Sequence, residues 1–88
     1  MRVEWTGHAL EQVARRGLSR DLVEEALRVA DRVVPSGVEG RSVAEKKYRD
    51  ASGQLYLLRV VFERDAERAV VITAYRTSRL SKYWRDAR

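Results

Sequence analysis

Two apolar runs in the second half of the chain limit what it can fold into. "QLYLLRVVF" (54–62) and "AVVITAY" (69–75) are dense in β-branched and aromatic residues, the types that fit a pleated, half-buried surface. The six residues between them, "ERDAER" (63–68), suit a hairpin loop. The pair must therefore lie side by side in a sheet. A chain of 88 residues can give that sheet only one small core, so the whole of 1–88 reads as a single domain.

The N-terminal third has a different period. Thr6 can cap a helix over 7–16, with Leu10, Val13 and Ala14 as its apolar stripe and Gly17 ending it. Ser19 can cap a second helix through about Ala30, with Leu22, Val23, Ala26 and Leu27 on one side. After it, "RVVPS" reads as a short strand closed by Pro35, and "SGVEG" (36–40) as a loop. "RSVAEKKYRD" (41–50) alternates as a half-buried strand does, and "DASG" (50–53) is a turn. "SRLSKYWRD" suits either a short helix or an edge strand. The expected class is α+β, with two N-terminal helices packed on a three- to four-stranded antiparallel sheet.

Composition narrows the function classes. With 44% hydrophobic and 35% charged residues the chain suits a soluble globule and not a disordered one. No apolar run approaches the roughly 20 residues of a membrane span, and "MRVEWTGHAL" lacks the apolar core of a signal peptide. A cytoplasmic location is the default expectation. There is no Cys, and no His, Asp or Glu spacing suggests a metal or any other cofactor. The net charge of +5 is concentrated at the end: residues 76–88 hold five cations and one acid, the other 75 residues 13 and 12. Such a tail attracts polyanions, of which nucleic acid is the commonest, or merely keeps the chain in solution.

Arg59 is the most telling single residue, because it interrupts "YLLRVVF". A charge in a central strand is costly unless it is paired or faces an open site. Alternation puts Leu55, Leu57, Arg59 and Val61 on one face, and Tyr56, Leu58, Val60 and Phe62 on the other, toward the helices. An uncovered face holding Arg59, Thr73 and Tyr75, with Lys46 and Tyr48 from the preceding strand, is one reading. Pairing of Arg59 with an acidic neighbour such as Glu45 or Glu63 is the other. His8, the only histidine, falls in a first helical turn; it is either a general base or an idle surface residue. Lys, Arg, Tyr and one His suit metal-free chemistry on phosphodiesters: a base for the 2′-hydroxyl, cations for the extra negative charge, and an acid for the leaving oxygen. Tyr75, Tyr83 and Trp84 offer rings on which an unpaired base can stack.

The passages "HALEQVARRGLS" (8–19), "AEKKY" (44–48), "LLRVVFE" (57–63) and "VVITAYRTSRLSKYW" (70–84) carry a resemblance that spans nearly the whole chain. The chain resembles a family of small bacterial domains of uncharacterised function related to the BrnT and RelE-type ribonuclease toxins. The resemblance implies RNA cleavage by 2′-hydroxyl attack and a cognate antitoxin as partner. Its polar positions fall on His8, Arg16, Lys46, Arg59, Thr73, Tyr75, Arg76, Thr77 and Ser78, while Gln12 departs from the usual basic residue. On this expectation His8, Lys46, Arg59, Tyr75 and Arg76 form a catalytic set. Arg16, Thr77, Ser78, Arg79, Lys82, Tyr83 and Trp84 then hold RNA. A non-catalytic nucleic-acid-binding domain and a protein-interaction domain remain open beside it. The "RVVPS" edge offers a strand for pairing with a second chain in a homodimer, with Pro35 limiting its extent.

Overall fold

A computed structural model describes residues 1–84 of the chain. Arg85, Asp86 and Arg88, part of the basic tail noted above, lie outside the described residues. The elements in order are β1 (Arg2–Trp5), α1 (Gly7–Arg15), α2 (Arg20–Arg28), β2 (Arg32–Pro35), β3 (Ser42–Arg49), β4 (Leu55–Asp65), β5 (Arg68–Thr77) and α3 (Leu80–Tyr83).

The sheet has five strands in the order β1-β5-β4-β3-β2. It is mixed: β1 runs parallel to β5, and every other pairing is antiparallel. The expected antiparallel sheet of three to four strands under two helices is thus corrected to a five-stranded mixed sheet with three short helices. The missing strand is "RVEW", whose partner is 66 residues away in the pairing Arg2 to Arg68. Four residues with two charges carry too little local signal to announce such a strand.

Local chemistry sets the helix ends. The Thr6 hydroxyl accepts from the Ala9 N–H at 2.9 Å, and the Ser19 hydroxyl from the Leu22 N–H at 3.3 Å. Gly17, at φ 68°, turns the chain out of α1. Its N–H donates to the Ala14 carbonyl at 3.1 Å and that of Leu18 to Val13 at 2.9 Å, closing a Schellman motif. The short linker then lays α2 beside α1. Both helices pack on one face of the sheet, but α1 does so through Ala9 and Val13, with Leu10 and Ala14 of the expected stripe exposed. Ala9, Val13, Val23, Ala26 and Leu27 meet Ala44, Leu58, Val60, Phe62, Ala69, Val71 and Ala74 in one core. Trp5 ties β1 to α2 by donating from Nε1 to Glu24 at 2.9 Å.

A register shift between Val61 and Phe62 inserts one extra residue, Ile72, into β5. The bulge changes which residues face the helices: Ala69 and Val71 before it, Ala74 after it. Uninterrupted alternation would have pointed Val70 and Ile72 inward instead. Beyond the bulge the register is regular, and it fixes the polar surface.

Candidate nucleic-acid interface

Two transverse rows of side chains cross the sheet, one on each face. On the face away from α1 and α2, Arg32 of β2 pairs with Glu45 of β3, Glu45 with Arg59 of β4, and Arg59 with Tyr75 of β5. One residue along, on the helix side, Lys46 pairs with Leu58 and Leu58 with Arg76. Neighbours in sequence thus serve opposite faces, as a pleated strand requires.

The first row is built around a buried carboxylate. Glu45 is fully buried. Its Oε2 accepts from Arg59 Nε at 2.7 Å and its Oε1 from Arg32 Nε. Arg59 also donates from its Nη1 to the Tyr75 hydroxyl. Burial works against the Arg59 cation, but the hydrogen bonds to Glu45 and Tyr75 outweigh it and hold its pKa above the ordinary arginine value. Every buried side-chain nitrogen and oxygen among the described residues has a partner. Arg59 is therefore the paired charge of the second sequence reading, with Glu45 as its partner; Glu63 is held instead by Arg41 at 2.9 Å.

The segment after β5 folds over this row. The Arg79 N–H donates to the Thr77 hydroxyl at 3.0 Å, which turns the chain into α3. The Tyr83 ring then lies 4.4 Å from the Arg59 guanidinium, and the Trp84 ring 4.1 Å from that of Arg32 and 4.2 Å from Lys47 Nζ. Arg32 donates in addition to the Tyr83 backbone carbonyl. Lys82 Nζ sits 5.3 Å from the Tyr83 ring, while Ser78 and Arg79 are exposed.

The second row leads to a different cluster. The Arg76 guanidinium lies 4.0 Å over the Tyr56 ring and donates to the Tyr48 hydroxyl at 3.4 Å. That hydrogen bond is the main reason its pKa lies above the usual arginine value. The Tyr48 and Tyr56 rings stack with centroids 5.9 Å apart. The adjoining turn is held by Asp50, which accepts from the Ser52 hydroxyl at 2.7 Å and from the N–H groups of Ser52 and Gln54. These contacts, the Ser52 hydroxyl first, keep the Asp50 carboxyl below its ordinary pKa.

The expected catalytic set is thus divided. Arg59 and Tyr75 share one face with Tyr83 and Trp84. Lys46 and Arg76 share the other, where Tyr48 joins them. The expectation that Lys46 stands beside Arg59 fails because Glu45, not Lys46, takes the position opposite that arginine. Arg16 reaches the Thr73 hydroxyl at 3.3 Å and the Ala74 carbonyl at 2.7 Å, fixing the end of α1 to β5. His8 is exposed near the start of α1, outside both rows. Glu45, Arg32, Lys47 and Tyr56 are the members that sequence reasoning did not gather into a site. A signal for Glu45 existed, since a strand arginine calls for an acid; Arg32 had none, because its neighbourhood is set by pairing across strands.

Fold and surface together define a small mixed-sheet α+β domain with a cationic, aromatic polar surface. The chain belongs to the family of a domain of unknown function, DUF4258, whose model matches residues 5–76. That match takes in both rows and stops short of α3. No curated protein and no solved structure matches the chain. The family description assigns no activity, and nothing in it links the chain to BrnT or RelE-type toxins. No helix of the described residues is long and apolar enough to cross a membrane.

Proposed function

We propose that the protein binds single-stranded RNA on the helix-side end of the sheet, through Lys46, Tyr48, Tyr56 and Arg76. The observation that carries this reading is the Arg76 guanidinium lying 4.0 Å over Tyr56 beside a stacked pair of tyrosines. Guanidinium planes and aromatic rings are the surfaces on which unpaired bases stack, and Lys46 and Arg76 supply charge for the backbone. The net charge of +5 supports a polyanionic ligand.

Metal-free cleavage of RNA, with an antitoxin as partner, is the second reading. What favours it is the Tyr48 hydroxyl 3.4 Å from Arg76, a proton-bearing group beside a cation. Its catalytic residues would be Lys46, Tyr48 and Arg76, with Arg59 left to hold the fold.

One experiment separates the two. Mixed single-stranded RNA is incubated with the protein in EDTA, with Arg76→Ala and Tyr56→Ala alongside. Binding without cleavage predicts a gel shift on intact RNA. Losing the Tyr56 ring should weaken it by ~1–3 kcal/mol, the usual value of one stacked base. Fragments ending in 2′,3′-cyclic phosphate, made by the parent and not by Arg76→Ala, would establish the ribonuclease. Neither shift nor fragments would refute both and leave a protein partner.

A further inference from the structure

We propose that the opposite face of the sheet is a second RNA-binding site, occupied in cis by the C-terminal segment Leu80–Trp84. This site stands apart from the one proposed above and does not depend on it.

The contacts of that segment are those a short stretch of RNA would make. Two successive rings, Tyr83 and Trp84, stack on two cations, at 4.4 Å on Arg59 and 4.1 Å on Arg32. Between them the Tyr83 carbonyl oxygen accepts from the outer end of the Arg32 fork. A third cation, Lys47, sits 4.2 Å from the Trp84 ring. Two stacked bases and one phosphate oxygen would fill the same three places. The charge on this face also favours an anion. Arg32, Arg59 and Lys47 surround Glu45, and the neighbouring Asp31 is turned onto the Lys47 backbone N–H at 2.7 Å.

Glu45 makes the site rigid without neutralising it. It takes only the Nε of each arginine; Tyr75 takes the Nη1 of Arg59, while the Nη2 of Arg32 is left for the covering segment. A phosphate oxygen on Arg32 Nη2 would make a charge-assisted bond, stronger than the one that nitrogen makes to a neutral carbonyl, and Arg59 offers its guanidinium plane for stacking.

The cover itself is lightly held. No residue of α3 is buried, and Arg79 at its start makes no side-chain capping bond. Among the described contacts, cation–ring stacking and one carbonyl bond link it to the face, and each is weak at a surface. A polyanion would compete for the very groups that hold the segment down.

The test uses decauridylate as probe, read by fluorescence anisotropy, in the Lys46→Ala/Arg76→Ala background that removes the first site. Adding Tyr83→Ala and Trp84→Ala uncovers the second. The expected result is about three- to tenfold tighter binding, with a salt slope steeper by about 1.4, the increment for two phosphates on a single strand, one at Arg32 and one at Lys47. Adding Lys47→Ala should remove about 0.7 of that increment. Unchanged or weaker binding on uncovering overturns the inference. Should the uncovered variant not fold, the same background with its rings intact serves: decauridylate should shift the Trp84 indole N–H resonance, and an unmoved resonance overturns it too. Failure of the first site has its own signature, an intact chain in which Lys46→Ala/Arg76→Ala leaves binding unchanged.

Discussion

Replacing Glu45 by Gln tests how the sheet tolerates an arginine at its centre. The side chain keeps its shape and loses its charge. Its one remaining carbonyl oxygen can accept from Arg32 or from Arg59, and its amide then turns donors toward the other guanidinium. Breaking a buried pair by removing one partner costs about 3–5 kcal/mol, because it strands the other charge. The two arginines are 34% and 15% exposed as side chains, so water can reach part of each. That places the expected loss near the lower bound, at about 3 kcal/mol. For a domain of this size each kcal/mol moves the melting midpoint by roughly 4–8 °C, so Glu45→Gln should melt at least ~12 °C below the parent. Thermal unfolding followed by far-ultraviolet circular dichroism reads this directly. A midpoint within ~4 °C of the parent would refute the reasoning, since the pairs would then act like solvent-screened surface pairs. Arg59→Gln should cost more than Arg32→Gln, because Arg59 is the less exposed of the two.

Three further outcomes follow from the same geometry. Leu58→Ala removes a fully buried side chain between Lys46 and Arg76 and should lower stability by about 2–5 kcal/mol in a urea titration. Thr6→Ala loses the cap on the Ala9 N–H and should cost ~1 kcal/mol by the same assay, while Thr6→Ser should cost almost nothing. Asp50, titrated by NMR, should show a midpoint below 3.8, and Ser52→Ala should raise it by removing the largest cause of the depression. A depressed carboxylate pKa means that the Asp50 contribution is present above its unfolded value and lost as pH falls through its folded one. The turn at 50–54 should accordingly loosen only in acid.

Much of this architecture is written in local patterns, and what is not has a physical reason. The caps at Thr6 and Ser19 and the left-handed exit at Gly17 depend on a few adjacent residues, so both helix starts and the end of α1 were legible. The hairpin of β4 and β5 was legible from β-branched density. Strand β1 was not, because its stability comes from β5 at the far end of the chain and from Trp5 bonding Glu24 across the fold. The faces of β5 upstream of Ile72 do not follow from a strict two-residue period, because one inserted residue reverses the alternation there. At the candidate site the sequence pointed to Arg59 as a residue needing an explanation. It did not say which strand residue would stand opposite. That question turns on register, and shifting β3 by one position exchanges Glu45 for Lys46.

The choice of Glu45 for that position decides what the remaining cations can do. Had Lys46 stood opposite Arg59, two like charges would have met across the strands, and the face would have had to stay open to water. With Glu45 there, Arg59 and Arg32 are drawn inward and Val43 and Leu57 beside them can be buried. Lys46 is sent to the helix side, where it shares a surface with Arg76, Tyr48 and Tyr56. One strand thereby separates a carboxylate that organises cations within the sheet from an ammonium left at its surface. The arginine that drew attention in the sequence is the most constrained of the set, and Arg76, one residue beyond its partner Tyr75, is the more accessible. Functional tests should therefore read Arg59 variants for stability before activity, and Arg76 variants for RNA binding first.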